Sequence, residues 1–317
     1  MKAFFVSLCF FMTISAQAFV QTTSRTGVPI FWPQPASPVF TTNWINSSGL
    51  SYNDVFNIFT TSLGRWKQTG AAVGFDYWQG SNSGAPRVMG YDGKNAIFFA
   101  SNSTQKLGNS TLAVTSTMFY STGEIVEADV EFNDEAVIFT TNPSDSTVFG
   151  DHNHTYLGSV ATHELGHAYG LSHSANLQST MVYTEYRGQT KPSCDDLSGV
   201  HTMYPESGFT AARGSISGSV KVGAAAIFGA HVQAISKGRG TVVAAAISSP
   251  DGSYTIRNLE PGDYYLLVEP FQGASPIASL CGGSASDCYH GGVNSHTICT
   301  GQPFKRGLVE QKTTVTA

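Results

Sequence analysis

The sequence predicts an α+β domain followed by an all-β sandwich, and three patterns carry this prediction. Apolar side chains recur at helical spacing over 51–67, which predicts an amphipathic helix that backs a sheet. Apolar and acidic residues alternate over 123–132, which predicts a half-buried strand. After Pro205 the helical period disappears, and alternating segments separated by Asp-Gly and Pro-Gly turns predict a small β-sandwich. The polar side of the predicted strand carries Glu127, Asp129 and Glu131.

The chain divides into four predicted regions. Residues 1–18 combine a basic residue, an apolar run and a small-residue cleavage site, a pattern typical of a secretory signal peptide. Residues 19–42 contain four prolines and are either a short propeptide or an extended N-terminal arm. The α+β domain is predicted at 43–208 and the β-sandwich at 213–317. We therefore expect a secreted protein, extracellular or, in a bacterium, periplasmic or at the cell surface.

Composition narrows the class of protein. Only 12% of the residues are charged and the formal net charge is -5, so there is no electrostatic reason to expect a nucleic-acid partner. The N-terminal apolar run is too short to span a bilayer, and no later apolar segment reaches the length of a transmembrane helix.

Cysteine usage agrees with an oxidising compartment. Removal of the signal peptide leaves an even number of cysteines, for which two disulfides and free thiols are the alternatives. The sequence does not choose among the three pairings that four cysteines allow. These residues are Cys194, Cys281, Cys288 and Cys299.

The most informative segment is HELGHAYGLSH. On a helix, His163 and His167 lie on one face and can hold one metal ion from consecutive turns. Glu164 then falls beside the metal, where a carboxylate can act as a base on water. Gly170 can adopt positive φ, which lets the chain double back so that His173 completes three nitrogen ligands. A fourth position stays open, as in catalytic zinc sites.

Three further segments accompany this motif, and with them the chain resembles the metzincin metalloproteases, most closely the matrixin-like bacterial enzymes. The segments are GEIVEADVEFN at 123–133, STMVY around Met181, and DDLSGVHTMYP at 195–205. The resemblance implies a twisted mixed sheet with a backing helix and an active-site helix. It also implies one catalytic zinc, held by the three histidines, and Glu164 as the base.

The resemblance assigns further roles around the zinc site. Met181 would form an apolar floor under the three imidazoles. Asp195 and Asp196 would open a helix that braces this methionine turn, and their position also suits a helix N-terminal cap. No cysteine occurs between Cys9 and Cys194, which excludes the thiol-switch latency of vertebrate-type members. The nearby polar residues Asp151, His152 and His154 are interpreted as a solvated loop and helix cap rather than ligands of a second zinc.

Four side chains near the motif have two open interpretations each. Tyr183 either donates a hydrogen bond to the reacting oxyanion or packs under the turn. Tyr186 and Arg187 either line the pocket for the residue after the cut bond or belong to a solvent loop. Asp129 either binds calcium, as the resemblance implies, or is solvated.

The C-terminal region resembles a carboxypeptidase regulatory-like, transthyretin-like module over 213–271, and the VEQKTTVT segment could close its sandwich as a last strand. In the catalytic part, 136–141 is predicted as the edge strand to which a peptide could add. The expected function is that of a zinc endopeptidase acting on proteins or peptides, with a surface or matrix partner for the β-sandwich. The alternative is a catalytically silent, surface-binding or adhesin-like protein on the same scaffold.

Overall fold

The computed structural model describes residues 19, 21–24, 26, 28–77, 89–100, 107–145, 154–185, 188–270 and 307–315. The predicted signal peptide therefore lies outside the described residues. So do the side chains Asp151, His152, Tyr186, Arg187, Cys281, Cys288 and Cys299.

The first half of the chain is an α+β unit. Its strands are β1 (Val39–Asn43), β2 (Asp76–Tyr77), β3 (Asn95–Ala100), β4 (Ala113–Phe119), β5 (Ile125–Asn133), β6 (Phe139–Thr140) and β7 (Thr155–Tyr156). Its helices are α1 (Tyr52–Lys67), α2 (Leu157–Ala168) and α3 (Cys194–Met203), followed by the short α4 (Ser207–Ala211).

A five-stranded sheet in the order β2-β1-β3-β5-β4 forms the centre of this half. All neighbouring strands pair in parallel except β4, which runs antiparallel to β5. The helices α1 and α2 pack together, and their apolar side chains share one core with the inner face of the sheet. The predicted backing helix is confirmed, and it begins with a capping box in which Ser51 and Asp54 bond each other's backbone N–H groups.

The predicted burial of the 123–132 strand was wrong. β5 is an inner strand between β3 and β4, and its acidic residues are as buried as its apolar ones. Glu127, Asp129 and Glu131 expose only 0%, 2% and 3% of their surface. Two of them accept backbone N–H groups from the segment 90–96, which leads into β3. A carboxylate that receives such bonds can be buried without an ionic partner.

The predicted edge strand at 136–141 was also wrong. Only Phe139–Thr140 is a strand there, and it pairs with β7 in a separate two-stranded sheet. The chain turns away from the main sheet after β5, where the Asp134 carboxylate accepts hydrogen bonds from the backbone N and the Oγ of Ser47 at 2.6 and 2.9 Å. The outer strand of the main sheet beside α2 is β4.

The N-terminal segment is part of the core of this half. Phe19, Ile30 and Trp32 are buried in it. The indole Nε1 of Trp32 donates to the carbonyl of Ala168, at the end of α2, at 2.8 Å. The backbone N of Thr22 donates to the carbonyl of Gly170 at 2.7 Å. The described part of this segment thus holds the C-terminal end of α2 in place through hydrogen bonds.

The second half is all-β in its described part. Its strands are β8 (Gly214–Ser219), β9 (Lys221–Val222), β10 (Ala225–Ala226), β11 (Ala230–Ser236), β12 (Thr241–Ile247), β13 (Ser253–Leu259), β14 (Gly262–Pro270) and β15 (Gly307–Val315). They form an antiparallel sheet in the order β12-β11-β14-β15, the pair β13-β8 and the hairpin β9-β10. Both β8 and β13 share an apolar core with the four-stranded sheet. The predicted last strand is confirmed, since β15 pairs with β14.

The two halves touch through α3. Asn258, at the end of β13, donates through its side-chain amide to the carbonyl of Ser198 at 3.1 Å and to Thr202 Oγ1 at 2.9 Å. Ser198 Oγ donates in return to the carbonyl of Arg257 at 2.8 Å. In the part of the chain that the structure describes, no helix has the length and apolar character needed to cross a membrane.

Candidate metal centre

The helix α2 is held on nearly every side, which fixes the direction of its polar side chains. Ten of its twelve residues are buried. Trp66 of α1 donates its indole N–H to the carbonyl of Thr162 at 2.8 Å. A Cβ atom at Gly166 would lie 2.2 Å from Met181 Sδ and 2.9 Å from the Trp66 ring. Glycine is therefore required for Met181 to pack against the helix at this point.

The three histidines of the motif meet at one point. His163 and His167 project from consecutive turns of α2. Each of these two residues and His173 offers one ring nitrogen, and the three nitrogens all lie within 4.8 Å of one another. Gly170 has φ of 96°, a conformation that glycine adopts without steric cost. The chain reverses there and carries His173 back, so that its Nε2 lies 3.2 Å from His167 Nε2.

Hydrogen bonds fix the orientation of two imidazoles. The Nδ1–H of His163 donates to the carbonyl of Thr180, and that of His167 to the carbonyl of Leu171, both at 2.8 Å. Each Nε2 is thereby left as a lone-pair donor, the arrangement typical of histidine metal ligands. Burial lowers the pKa of both rings, and for His163 the charges of the other two histidines lower it further. Neutral imidazoles at neutral pH are the form that binds zinc, so the donor set fits this metal.

Glu164 lies next to the first histidine and is buried, with 5% of its surface exposed. Burial raises the pKa of its carboxyl to about 7, opposed by a hydrogen bond from Thr115. This bond runs from Thr115 Oγ1, on β4, to Glu164 Oε2 at 2.7 Å. A carboxyl group with a pKa near neutrality can both accept and release a proton during a reaction cycle.

The loop after His173 is tied to the start of α3. The Asp196 carboxylate accepts from Ser179 Oγ and from the backbone N of Thr180 at 2.9 Å and of Met181 at 3.3 Å. Asp196 also forms a capping box with Ser193 at the first turn of α3. The two roles considered for this residue, brace and cap, therefore coexist. Met181 is fully buried.

Asp195 connects the same loop with the second half of the chain. One of its carboxylate oxygens accepts from Ser174 Oγ at 2.5 Å, and the other accepts from the backbone N of Ala245, on β12, at 3.3 Å. Ser174 directly follows His173 and donates its backbone N–H to the carbonyl of Met181 at 2.7 Å. Burial raises the pKa of Asp195 to about 7, and the charge of Asp196 adds to this rise.

Comparison with known families gives one match. The sequence model of the Matrixin peptidase family matches residues 44–205, slightly more than half of the chain. The chain belongs to the matrixin family. Membership implies the α+β metzincin fold and a zinc-dependent metalloprotease with a catalytic zinc, and the three histidines are a matching metal site. Comparison with curated proteins finds no match.

The match covers this matrixin's zinc motif, methionine turn and α3. Tyr183 is half-buried. Tyr186 and Arg187 lie outside the described residues, as do Asp151 and His152, while His154 is exposed.

Calcium at Asp129 gains no support. The two carboxylate oxygens of Asp129 accept from the backbone N of Gly90 at 3.1 Å and of Ala96 at 2.9 Å. Among the described residues, the histidine cluster is the one group of three or more side chains spaced to hold a metal ion.

Cys194, the first residue of α3, is exposed and forms no disulfide within the described residues. Its Sγ accepts a hydrogen bond from Arg239 Nη1 at 3.0 Å. The other three predicted partners lie outside the described part, so the disulfide prediction has no support here.

Sequence reasoning missed Thr115. It lies on β4, a strand that the sequence analysis did not predict, in the segment AVTSTMF, where apolar and hydroxyl residues do not alternate. No motif marks it. It becomes visible only when the sheet order places β4 beside α2.

Proposed function

We propose that the protein is a secreted zinc endopeptidase in which Glu164 is the general base. The observation that carries this proposal is a buried carboxyl on the residue next to His163 of the three-histidine cluster. His163, His167 and His173 would hold the ion. A zinc ion bound there supplies a Lewis acid that polarises the scissile carbonyl and lowers the pKa of water.

Glu164 would carry the proton through the reaction. Its carboxylate takes a proton from the attacking water and passes it to the nitrogen of the leaving amine, so the residue ends the cycle ionised as it began. Water attacks directly, and no bond forms between substrate and side chain. Tyr183 is a further candidate, as a donor to the oxyanion. Substitution of Tyr183 by Phe should then lower kcat with KM unchanged, whereas an unchanged kcat would leave it as packing.

The substrate would be an extended peptide. β4 is the outer strand of the main sheet and contacts α2, which carries Glu164. A peptide that adds to such a strand gains main-chain hydrogen bonds and is aligned beside the site. Tyr186 and Arg187 are proposed to line the pocket for the residue after the cut bond. An identical cleavage profile after substitution of both would contradict that role.

Export and domain organisation are part of the same proposal. Residues 1–18 would be removed as a signal peptide, which leaves Phe19, buried in the core, as the first residue of an N-terminal arm. The β half from 213 onward would be a carboxypeptidase regulatory-like module with a surface or matrix partner. Mass spectrometry of the secreted protein tests the first point, because a mature chain that starts well after Phe19 would contradict it.

A pair of matched variants tests the catalytic proposal. We expect Glu164→Gln to keep its zinc and to lose peptide hydrolysis by about 10²- to 10⁴-fold. Glu135→Gln removes an exposed carboxylate and should behave as the unmodified protein. Hydrolysis should stop with a chelator and return with zinc. Zinc-loaded protein that cleaves no protein or peptide would instead favour the silent, surface-binding alternative, and an active Glu164→Gln protein would refute the role of Glu164.

A further inference from the structure

Thr115 contacts Glu164 from the strand opposite α2. It lies on β4 directly across from Val130 of β5, on the face of the sheet that packs against the helices. Its Oγ1 lies 2.7 Å from Glu164 Oε2 and 3.0 Å from the carbonyl oxygen of the same residue. One hydroxyl thus reaches both the side chain and the backbone of the candidate base.

We propose that Thr115 is a positioning residue, whose hydroxyl holds the Glu164 carboxylate in the orientation needed to take a proton from water. The proposal rests on the function proposed above for Glu164. It adds a residue from a separate element, 49 positions earlier in the chain, to a site otherwise built from α2 and the loop that follows it.

A glutamate needs such a partner because its last torsion is loosely defined. The terminal torsion of a Glu side chain is broad and roughly twofold, so bonding within the residue does not fix the plane of the carboxylate. A donor on Oε2 fixes this plane and leaves Oε1 to meet water. Since Glu164 is buried, this bond also satisfies an oxygen whose isolation would be costly.

A hydroxyl suits a base that changes its protonation state. It has one proton to donate and lone pairs with which to accept. While Glu164 is ionised, Thr115 donates to Oε2. After Oε1 of Glu164 has taken the proton from water, Oε2 still accepts from Thr115, now as the carbonyl oxygen of the carboxylic acid. Thr115 keeps its own proton throughout, and the transferred proton leaves from Glu164 to the amine.

The same contact links the base with the strand that a substrate would join. Thr115 is held in β4 by its pairing with β5, and β4 is the outermost strand of its sheet in the described structure. A peptide paired with β4 would therefore be positioned by the strand that also orients Glu164. Attacking water, base and scissile bond would keep a fixed geometry, on which such reactions depend strongly.

Three substitutions in the full secreted, zinc-loaded protein test the proposal. Thr115→Val removes the hydroxyl and keeps the shape, and Thr115→Ser keeps the hydroxyl. Thr241→Val makes the same change at an exposed position of β12, in the β half. We expect Thr115→Val to lower kcat about tenfold, with KM and zinc content unchanged, because a hydrogen bond to a charged group is lost. Thr115→Ser should stay within about twofold of the unmodified protein, and Thr241→Val should match the unmodified protein.

A second measurement does not depend on activity. With ¹³C-labelled glutamate side chains, the Glu164 carboxyl resonance can be assigned by its loss in Glu164→Gln. It should shift in Thr115→Val and stay in place in Thr115→Ser and Thr241→Val. A Thr115→Val protein with normal kcat and an unshifted resonance would overturn the proposal. A Thr115→Ser protein as impaired as Thr115→Val would also overturn it, by assigning the effect to the methyl group.

The two measurements also separate this proposal from the proposed function. If the unmodified protein hydrolyses nothing, the proposed function fails, while a shifted Glu164 resonance in Thr115→Val still supports the contact. If the protein is active and Thr115→Val changes neither measurement, the function stands and Thr115 has no positioning role.

Discussion

The two halves of the molecule bury different kinds of side chain. The matrixin half buries the imidazole of His201 and several carboxylates. Among these carboxylates are Glu127, Asp129, Glu164, Asp195 and Asp196. The core of the β half is built from aliphatic residues and two tyrosines, and of the carboxylate and imidazole side chains described there only His231 is buried. Burial of ionisable groups costs stability unless hydrogen bonds compensate, and groups perturbed in this way cluster at functional sites. The contrast therefore places the chemistry in the first half and a mainly structural core in the second.

The helix α3 is where the two kinds of interior meet. Its first turn carries Asp196, which bonds the methionine turn, and Asp195, which bonds both Ser174 and Ala245 of β12. Substitutions should therefore change the free energy of unfolding most in the β core, less at Asp196 and least at Asp195. The three changes should also differ in kind.

The largest change in stability is expected from the apolar core of the β half. Ile256 of β13 is 1% exposed, and Ile256→Ala should lower the free energy of unfolding by about 2 to 5 kcal/mol through lost burial and the cavity left behind. Chemical denaturation measures this loss. Zinc content and kcat of the folded protein should not change. The exposed Val222→Ala is the control, and zinc loss in folded Ile256→Ala would break the comparison.

A smaller change in stability is expected at Asp196, together with weaker retention of zinc. Asp196→Asn replaces an acceptor oxygen by an N–H donor that faces the donors of Ser179 and Met181. We expect a loss of about 1 to 3 kcal/mol in unfolding free energy and faster transfer of zinc to a chelator. Asp145→Asn, at an exposed aspartate, is the control. An unchanged rate of zinc transfer would show that the turn does not depend on this brace.

The smallest change is expected at Asp195, and it depends on pH. Burial raises the pKa of Asp195 from 3.8 to about 7, so the folded protein holds this proton more tightly than the unfolded chain. Its contribution to stability is complete below pH 3.8 and is lost as the pH rises through about 7. Asn mimics the protonated form and has no such dependence.

The unfolding free energy of Asp195→Asn relative to that of the parent protein should therefore be higher by about 1 kcal/mol at pH 8 than at pH 6. Urea denaturation of zinc-free protein measures the difference. Asp129 and Glu164, whose pKa values are also raised by burial, occur in both proteins and cancel. A difference that is the same at both pH values would contradict the assignment.

The sequence was sufficient for features that depend on local pattern. The spacing of apolar residues predicts α1, and the spacing of the histidines predicts their meeting point on α2 and after Gly170. Other features depend on contacts between distant segments. Alternating carboxylates normally indicate a solvent face, and β5 departs from this because the segment 90–96 supplies N–H donors to it.

The order of strands in the sheet, which also depends on contacts between distant segments, decides which strand is outermost. Residues 136–141 have strand-like apolar character, yet β4, with its mixture of hydroxyl and apolar side chains, lies beside α2. Thr115 was missed for this reason, since its role follows from the position of its strand and not from a motif.

X-ray absorption at the zinc edge tests the central claim, that three histidines of the matrixin half hold a catalytic zinc. On the full-length protein, purified without added metal, the account predicts one zinc per chain. Three imidazole nitrogens and one oxygen should surround it at about 2.0 to 2.1 Å. His173→Ala should remove one imidazole. Protein without zinc, a sulfur ligand, or an unchanged spectrum in His173→Ala would contradict the account.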